Sequence, residues 1–254
     1  HAGRLHLVIL VHMPVGGDAE RAALAAGRAI VTTSEWTARR LTSVYGLPAG
    51  RVHVAAPGVD PAPLAHGSAG GGRLLCVAAL TPNKGQDVLA AALADIADRQ
   101  FTCTFAGSLT RDPEFAAEIR RRTAGLGGRV RFTGALTGTG LAAAYAGTDL
   151  LVLASYGETY GMVVTEALAR GIPVLATAAG GLPEALGHAP DGTVPGLLVD
   201  PGDPAALAEA LRGWLGEPGL RARLRAAARG RRDGLTGWDV TAGLVAGVLH
   251  GVAA

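Results

Sequence analysis

Residues 155–186 read SYGETYGMVVTEALARGIPVLATAAGGLPEAL. The run just before them, LLVLA at 150–154, is apolar with no polar alternation, which is the pattern of a strand buried on both faces. Tyr156, Gly157 and Gly161 mark a loop, residues 162–170 have helical composition, and Gly171 stands where helices end. A second apolar strand follows at 172–176, and then the glycine pair Gly180 and Gly181. Strand, loop, helix and strand in this order form one right-handed crossover unit of a parallel sheet.

The chemistry of the stretch lies in its two carboxylates. Glu158 and Glu166 have seven residues between them, and the helix begins between them near Gly161. In open α/β sheets, ligands sit beyond the carboxyl ends of the strands. The first N–H groups of a helix lack intrahelical partners and attract a phosphate. Glu166 falls about five residues into the helix, roughly 7 Å along its axis. A diphosphate at the helix start would thus have one sugar near Glu158 in the loop and a ribose near Glu166, since carboxylates accept hydrogen bonds from hydroxyls. The competing reading makes Glu158 a solvated loop residue and Glu166 a surface helix residue.

Working outward, the chain alternates strands and helices. Strands are expected at 5–11, 29–33, 51–55, 73–78, 101–106, 130–133, 150–154, 173–176 and 196–199. Helices are expected at 18–28, 35–45 (with Ser34 as N-cap), 86–97, 113–124, 140–146, 162–170, 204–215, 220–231 and 238–252. Such alternation implies an α/β protein with doubly wound parallel sheets. The PAPLAHGSAGGG run at 61–72 reads as a linker. The division is therefore 1–60, the tail of one α/β domain; 61–72, the linker; 73–232, a complete Rossmann-like domain; and 233–254, a carboxyl-terminal helix that would pack back on the amino-terminal part.

Composition excludes several classes. The chain has 254 residues, is 49% hydrophobic and 17% charged, and carries a formal charge of +2, so it is globular and has no marked electrostatic bias. No basic stripe with interleaved aromatics is present, so nucleic acid is not an expected partner; Arg120, Arg121 and Arg122 read as a solvated helix face. No cluster of His, Cys and carboxylates has metal-ligand spacing, and no serine elbow or dinucleotide glycine fingerprint follows a strand. Asp149, just ahead of a buried strand, reads as a cap or turn residue. Cys76 and Cys103 lie in apolar strand-like runs and read as buried thiols of a reducing compartment, with a disulfide between neighbouring strands as the alternative. No apolar run is long enough to span a bilayer, and the run at 5–11 is too short for a signal peptide. A cytoplasmic location is expected, with peripheral membrane contact through the amino-terminal part as a further expectation. The chain starts at His1, almost directly on a strand, which suggests missing upstream material. An uncovered apolar sheet edge and poor solubility would follow.

Lys84, the only lysine, lies in the turn TPNKG at 81–85, between a strand and a helix. There it can reach a phosphate as a point charge; a solvated loop lysine is the alternative. Gly107 and Ser108 end the next strand and would let a diphosphate approach closely.

GETYGMVVTEALARGIPVLAT resembles the E-x7-E signature of the retaining glycosyltransferases of family 4, which have the two-domain GT-B fold, and AGGLPEAL is similar to the glycine pair that follows it there. The resemblance implies metal-independent transfer of a sugar, with retention, from a nucleotide-diphosphate sugar to an acceptor of carbohydrate, lipid or small-molecule type, with no cofactor. It implies that Lys84 contacts the donor diphosphate, Glu158 orients the transferred sugar, Glu166 the ribose, and Thr159, Tyr160, Gly161, Met162 and Val163 hold the donor. VRFTGAL at 130–136 resembles the family's base-binding segment, with the backbone at Leu136 bonding the base and Phe132 either lining its pocket or marking an ordinary strand end. His12, in VHMP, matches a histidine that contacts the transferred sugar. Ala79 stands where family members often carry an arginine, so one cation is missing near the leaving group.

Only about sixty residues precede the linker, where the family has a whole acceptor domain. Two other readings therefore stay open: a nucleotide-sugar-binding module that works with a partner chain, and another enzyme on the same plan, such as a sugar-nucleotide epimerase or a phosphorylase. A phosphorylase would need a lysine for pyridoxal phosphate, and Lys84 is badly placed for that.

Overall fold

A computed structural model describes residues 5–253. The first unit consists of β1 (Val8–Val11), α1 (Asp18–Ala26), β2 (Ala29–Thr32), α2 (Glu35–Tyr45) and β3 (Val52–Val54). Its strands form a parallel sheet in the order β1-β2-β3. β2, AIVT, is buried along its whole length because it is the central strand. β1 is an edge, and the expected strand start at 5 moves to 8; Leu10 on it is 67% exposed. In α2 the sequence signals act as expected. The Ser34 side chain accepts the Thr37 N–H at 3.0 Å, and Gly46 ends the helix in the left-handed region at φ 65°.

The second unit runs through β4 (Arg73–Val77), α3 (Gln86–Asp95), β5 (Thr102–Ala106), α4 (Pro113–Thr123), β6 (Val130–Gly134), α5 (Gly138–Ala146), β7 (Leu150–Leu153), α6 (Met162–Leu168), β8 (Val174–Thr177), α7 (Leu182–Leu186), β9 (Gly196–Val199), α8 (Pro204–Gly216) and α9 (Pro218–Arg232). The short α7 is absent from the sequence expectation, because Gly181 and Pro183 both read as loop residues; Pro183 is tolerated in the first turn of a helix. The sheet is parallel, in the order β6-β5-β4-β7-β8-β9. Winding starts at β4, proceeds outward to β6, then returns to the other side at β7.

Alternate side chains feed two apolar layers. Leu74 and Cys76 enter one with Phe105, Leu93 and Trp214; Leu75 enters the other with Leu151, Val164 and Leu182. β7, LLVL, is wholly buried, as its unbroken apolar run requires. Six arginines lie on α9, and several of them hold other chain segments by their carbonyls. Arg221 donates to Trp214 and Leu215 at the end of α8, Arg231 to Leu186 at the end of α7, and Arg232 to Ala169 after α6. Helix carboxyl ends carry unpaired carbonyls and partial negative charge, so these contacts suit a cation.

Residues 61–72 run along the second unit and are bonded to it. Ala65 N–H donates to Arg170 O, and the Trp214 indole donates to Gly71 O at 2.7 Å. Asp149 is the centre of this seam. Its buried carboxylate accepts from Ser68 N–H and Oγ (2.6 Å each), Arg73 N–H (2.9 Å) and the Arg225 guanidinium (2.9 Å). The last helix, α10 (Trp238–Ala253), lies against the first unit: it contacts β2, Thr241 Oγ1 donates to Ala56 O, and the His6 ring is 2.7 Å from Val252 O. Among the described residues no helix is long and apolar enough to cross a membrane.

The run Arg120–Arg122 is a helix face, as expected: Arg121 and Arg122 pair with Glu118. Both cysteines are free and buried. Burial pushes the Cys76 thiol up to about 12, with Lys84 pulling the other way and Glu158 adding to the rise, and burial also raises Cys103. A raised folded-state value means that stability is whole below the unfolded thiol's titration and is lost as pH climbs toward the folded value. The unfolding free energy from urea titration should thus hold up to about pH 8, then fall by roughly 1.4 kcal/mol per pH unit per thiol, with the midpoint falling in proportion. A midpoint that stays level through that alkaline range would contradict the burial argument.

Candidate functional site

Reversal of strand order between β4 and β7 leaves a crevice at their carboxyl ends, the place where such sheets bind ligands. The residues after β4 include Lys84, and those after β7 include Glu158, so two segments 74 residues apart meet there. Lys84 Nζ donates to Glu158 Oε1 at 2.7 Å, and Ser155 Oγ donates to the same oxygen at 2.9 Å. Glu158 Oε2 has no partner among the described residues.

Backbone shape dictates this meeting. Pro82–Lys84 is a single tight helical turn closed by Gly85 at φ +63°. A Cβ on Gly85 would lie 1.9 Å from the Ala154 carbonyl oxygen, so only glycine lets the lysine turn press on the end of β7. Tyr156 N–H then donates to Asn83 O at 3.0 Å and ties the two loops together. The glycine pair supports the other side. Gly181 N–H donates to Glu158 O at 2.8 Å, and a Cβ on Gly180 would sit 1.9 Å from that oxygen.

A cavity of about 400 Å³ opens over this pair. Lys84, Gly107, Leu136, Glu158, Thr159, Tyr160, Gly161, Met162 and Val163 line it, all from the second unit. His12 lines it from the first unit, directly after β1, with Met13 and Pro57 beside it. Gly161 starts α6 at φ +96°, and the first-turn residues Met162 and Val163 border the opening. Gly107 is also a packing requirement, since a Cβ there would fall 1.8 Å from Ala78 O. Ala79 lies on the wall, its carbonyl accepting the buried Gln86 amide.

Glu166 sits apart. It lines an adjoining hollow of about 140 Å³ with Gly58, Asp60, Arg170 and Trp238, and Met162 borders both spaces. Tyr145 donates its hydroxyl to Glu166 Oε2 at 2.7 Å, and the Arg170 guanidinium stacks over the Tyr145 ring at 4.6 Å. Burial first, then the charge of Glu166, raises the Tyr145 phenol, so it stays protonated and acts as the donor. The two acids thus line separate neighbouring pockets that both border Met162.

Phe132 is a correction. It stacks on Phe105, with ring centres 5.1 Å apart and an 11° interplanar angle, and Arg120 lies over it. It is absent from the cavity wall because its strand position turns it into the core layer beside β5. Ser155, by contrast, was overlooked as a site residue. It is buried three residues before Glu158, and a small hydroxyl at the end of an apolar strand is the signal that marks it. Gly58, Asp60 and Trp238, which line the smaller hollow with Glu166, lie far from it in the chain and carry no local sequence signal. Among the described residues no group of three or more His, Cys, Asp or Glu is placed to hold a metal.

Residues 71–217 match the family described as glycosyl transferases group 1, and residues 7–63 match glycosyltransferase family 4. The chain is 35% identical over 247 residues to D-inositol 3-phosphate glycosyltransferase of Streptomyces avermitilis, covering 88% of this chain and 52% of that protein. It is 32% identical to D-inositol 3-phosphate glycosyltransferase 1 of Catenulispora acidiphila, covering 87% and 56%. It therefore spans about half the length of the curated relatives it matches. Among solved structures, sucrose-phosphate synthase from Thermosynechococcus elongatus superposes with a TM-score of 0.76 at 26% identity, covering 97% of this chain and 68% of that one. Anabaena HepE in complex with UDP and glucose gives 0.82 at 23% identity, covering 98% and 72%, a likeness of fold. With parallel α/β units of the GT-B type and a family match over more than half its length, the chain belongs to the group 1 glycosyltransferases of family 4.

Proposed function

We propose that the chain binds a nucleoside-diphosphate sugar and that the protein transfers the sugar with retained configuration, without a protein-bound metal. The observation that carries this is the Lys84–Glu158 pair, 2.7 Å apart at the strand-order switch and facing a cavity that both units line. Lys84 neutralises charge on the departing diphosphate, a preorganised electrostatic effect. Glu158 uses its unpartnered Oε2 to hold sugar hydroxyls, and His12 approaches the same sugar from the other unit. Glu166, held by Tyr145, accepts from the ribose across Met162, and the backbone at Leu136 meets the base. Gly107 leaves room for the diphosphate. Anabaena HepE, solved in complex with UDP and glucose, supports this class of ligand.

Calorimetry with UDP, GDP and ADP and their glucose conjugates tests the reading, followed by anomer analysis of the product; D-inositol 3-phosphate is the first acceptor to try, given the names of the relatives. Glu166→Ala should weaken donor binding about tenfold, the value of a charge-assisted hydrogen bond. An unchanged affinity would remove the ribose assignment. A second reading follows from the half-length match: donor binding by this chain without turnover until an amino-terminal half is supplied. Transfer by this chain alone would exclude it.

A further inference from the structure

Glu184 reaches across the cleft. Its Oε1 accepts the Glu35 N–H at 2.9 Å and its Oε2 the Trp36 N–H at 3.1 Å, the first two amides of α2. The third amide, of Thr37, is taken by Ser34 Oγ, and the next, of Ala38, bonds Ser34 O within the helix. The first three amides of α2 are therefore all satisfied, two of them by a carboxylate 148 and 149 residues away. Among the described residues these are the two hydrogen bonds that join residues 5–55 directly to residues 73–232. Further hydrogen bonds between the units run by way of residues 56–72 and the carboxyl-terminal segment.

The other end of this contact is rigid. Glu184 lies on α7, which starts directly after Gly181. Gly181 N–H holds the Glu158 carbonyl, and Gly180 leaves no gap against it. A displacement of α2 is thus transmitted through α7 to the loop that carries Glu158. Helix starts favour a negative charge, so the carboxylate is well matched to its seat.

We infer that Glu184 is a positioning residue, a latch that fixes the distance between the two units and so sets His12 against Glu158. The role of those two residues rests on the glycosyltransferase reading; the latch itself does not. The test uses spin labels on Ser43→Cys and Glu114→Cys, both exposed, with the buried native thiols left unlabelled. Pulsed dipolar distances should form one narrow population in the parent. Glu184→Ala should lower the closed fraction about tenfold and broaden the distribution, and Glu184→Gln, with one oxygen left to accept, should fall between. UDP affinity should stay near the parent's, because Glu184 does not line the cavity, and the melting temperature should fall by no more than the few degrees that loss of a helix cap costs. An unchanged distance distribution overturns the latch, and so does a variant that melts early and loses UDP, which would make Glu184 a folding residue of α7. A parent that binds no nucleotide sugar would instead fail the functional reading, and the distances would still report on the latch.

Discussion

Replacing Lys84 with alanine is expected to weaken nucleoside-diphosphate binding by about 10- to 100-fold, since a hydrogen bond to a charged group is worth roughly 1.5–3 kcal/mol. Two effects add. The variant loses the only lysine of the chain, at a site where Ala79 supplies no second cation. It also leaves Glu158 with Ser155 as its remaining partner, so an uncompensated carboxylate faces the incoming diphosphate. Stability should hardly change. The side chains of the pair are 24% and 17% exposed, and such partly solvated pairs contribute about 1 kcal/mol or less. Lys84→Arg should recover part of the affinity, limited by the tight turn against Ala154 that positions the shorter ammonium. Titration calorimetry with UDP beside thermal melts separates the two quantities. Equal affinity in the variant would end the phosphate role of Lys84.

Asp149→Ala should have the opposite profile, a large loss of stability with no direct effect on chemistry. The carboxylate is buried and holds four donors from three segments, the 61–72 stretch, the start of β4, and α9. Removing it leaves the Arg225 cation with Ser68 O as its remaining partner and leaves backbone and hydroxyl donors unpaired, a change that costs about 3–5 kcal/mol. For a chain of this size the melting temperature should fall by roughly 10 °C. Arg225→Met should cost less, because Asp149 would keep three neutral donors and the Arg225 side chain is 30% exposed. If Asp149→Ala melts with the parent, the seam does not hold the second unit together.

Much of the site was legible because its signals are local. TPNKG announces a turn, and a glycine after the lysine leaves room for a neighbouring backbone. The run from Ser155 to Leu186 carries its own strand, loop, helix and glycine pair. For Phe132 the local pattern leaves two readings, pocket wall or strand end, and the structure takes the second. Whether a half-buried aromatic faces a pocket or a core depends on what lies across the sheet, and Phe105 lies there. Glu184 escaped notice because its partners are backbone amides of a helix far away in the chain, which leave no trace in its own neighbourhood.

The amino-acid sequence by itself determined the alternation of strands and helices, the parallel character of both sheets, the buried state of the thiols, and the turns that carry Lys84 and Glu158. These follow from periodicity, capping and glycine, which act over a few residues. The tertiary structure alone decided the strand order that brings Lys84 to Glu158, the placing of Glu158 and Glu166 in separate pockets, and the contact of Glu184 with α2. Those depend on which crossover packs against which layer, an outcome of long-range burial that no local pattern encodes.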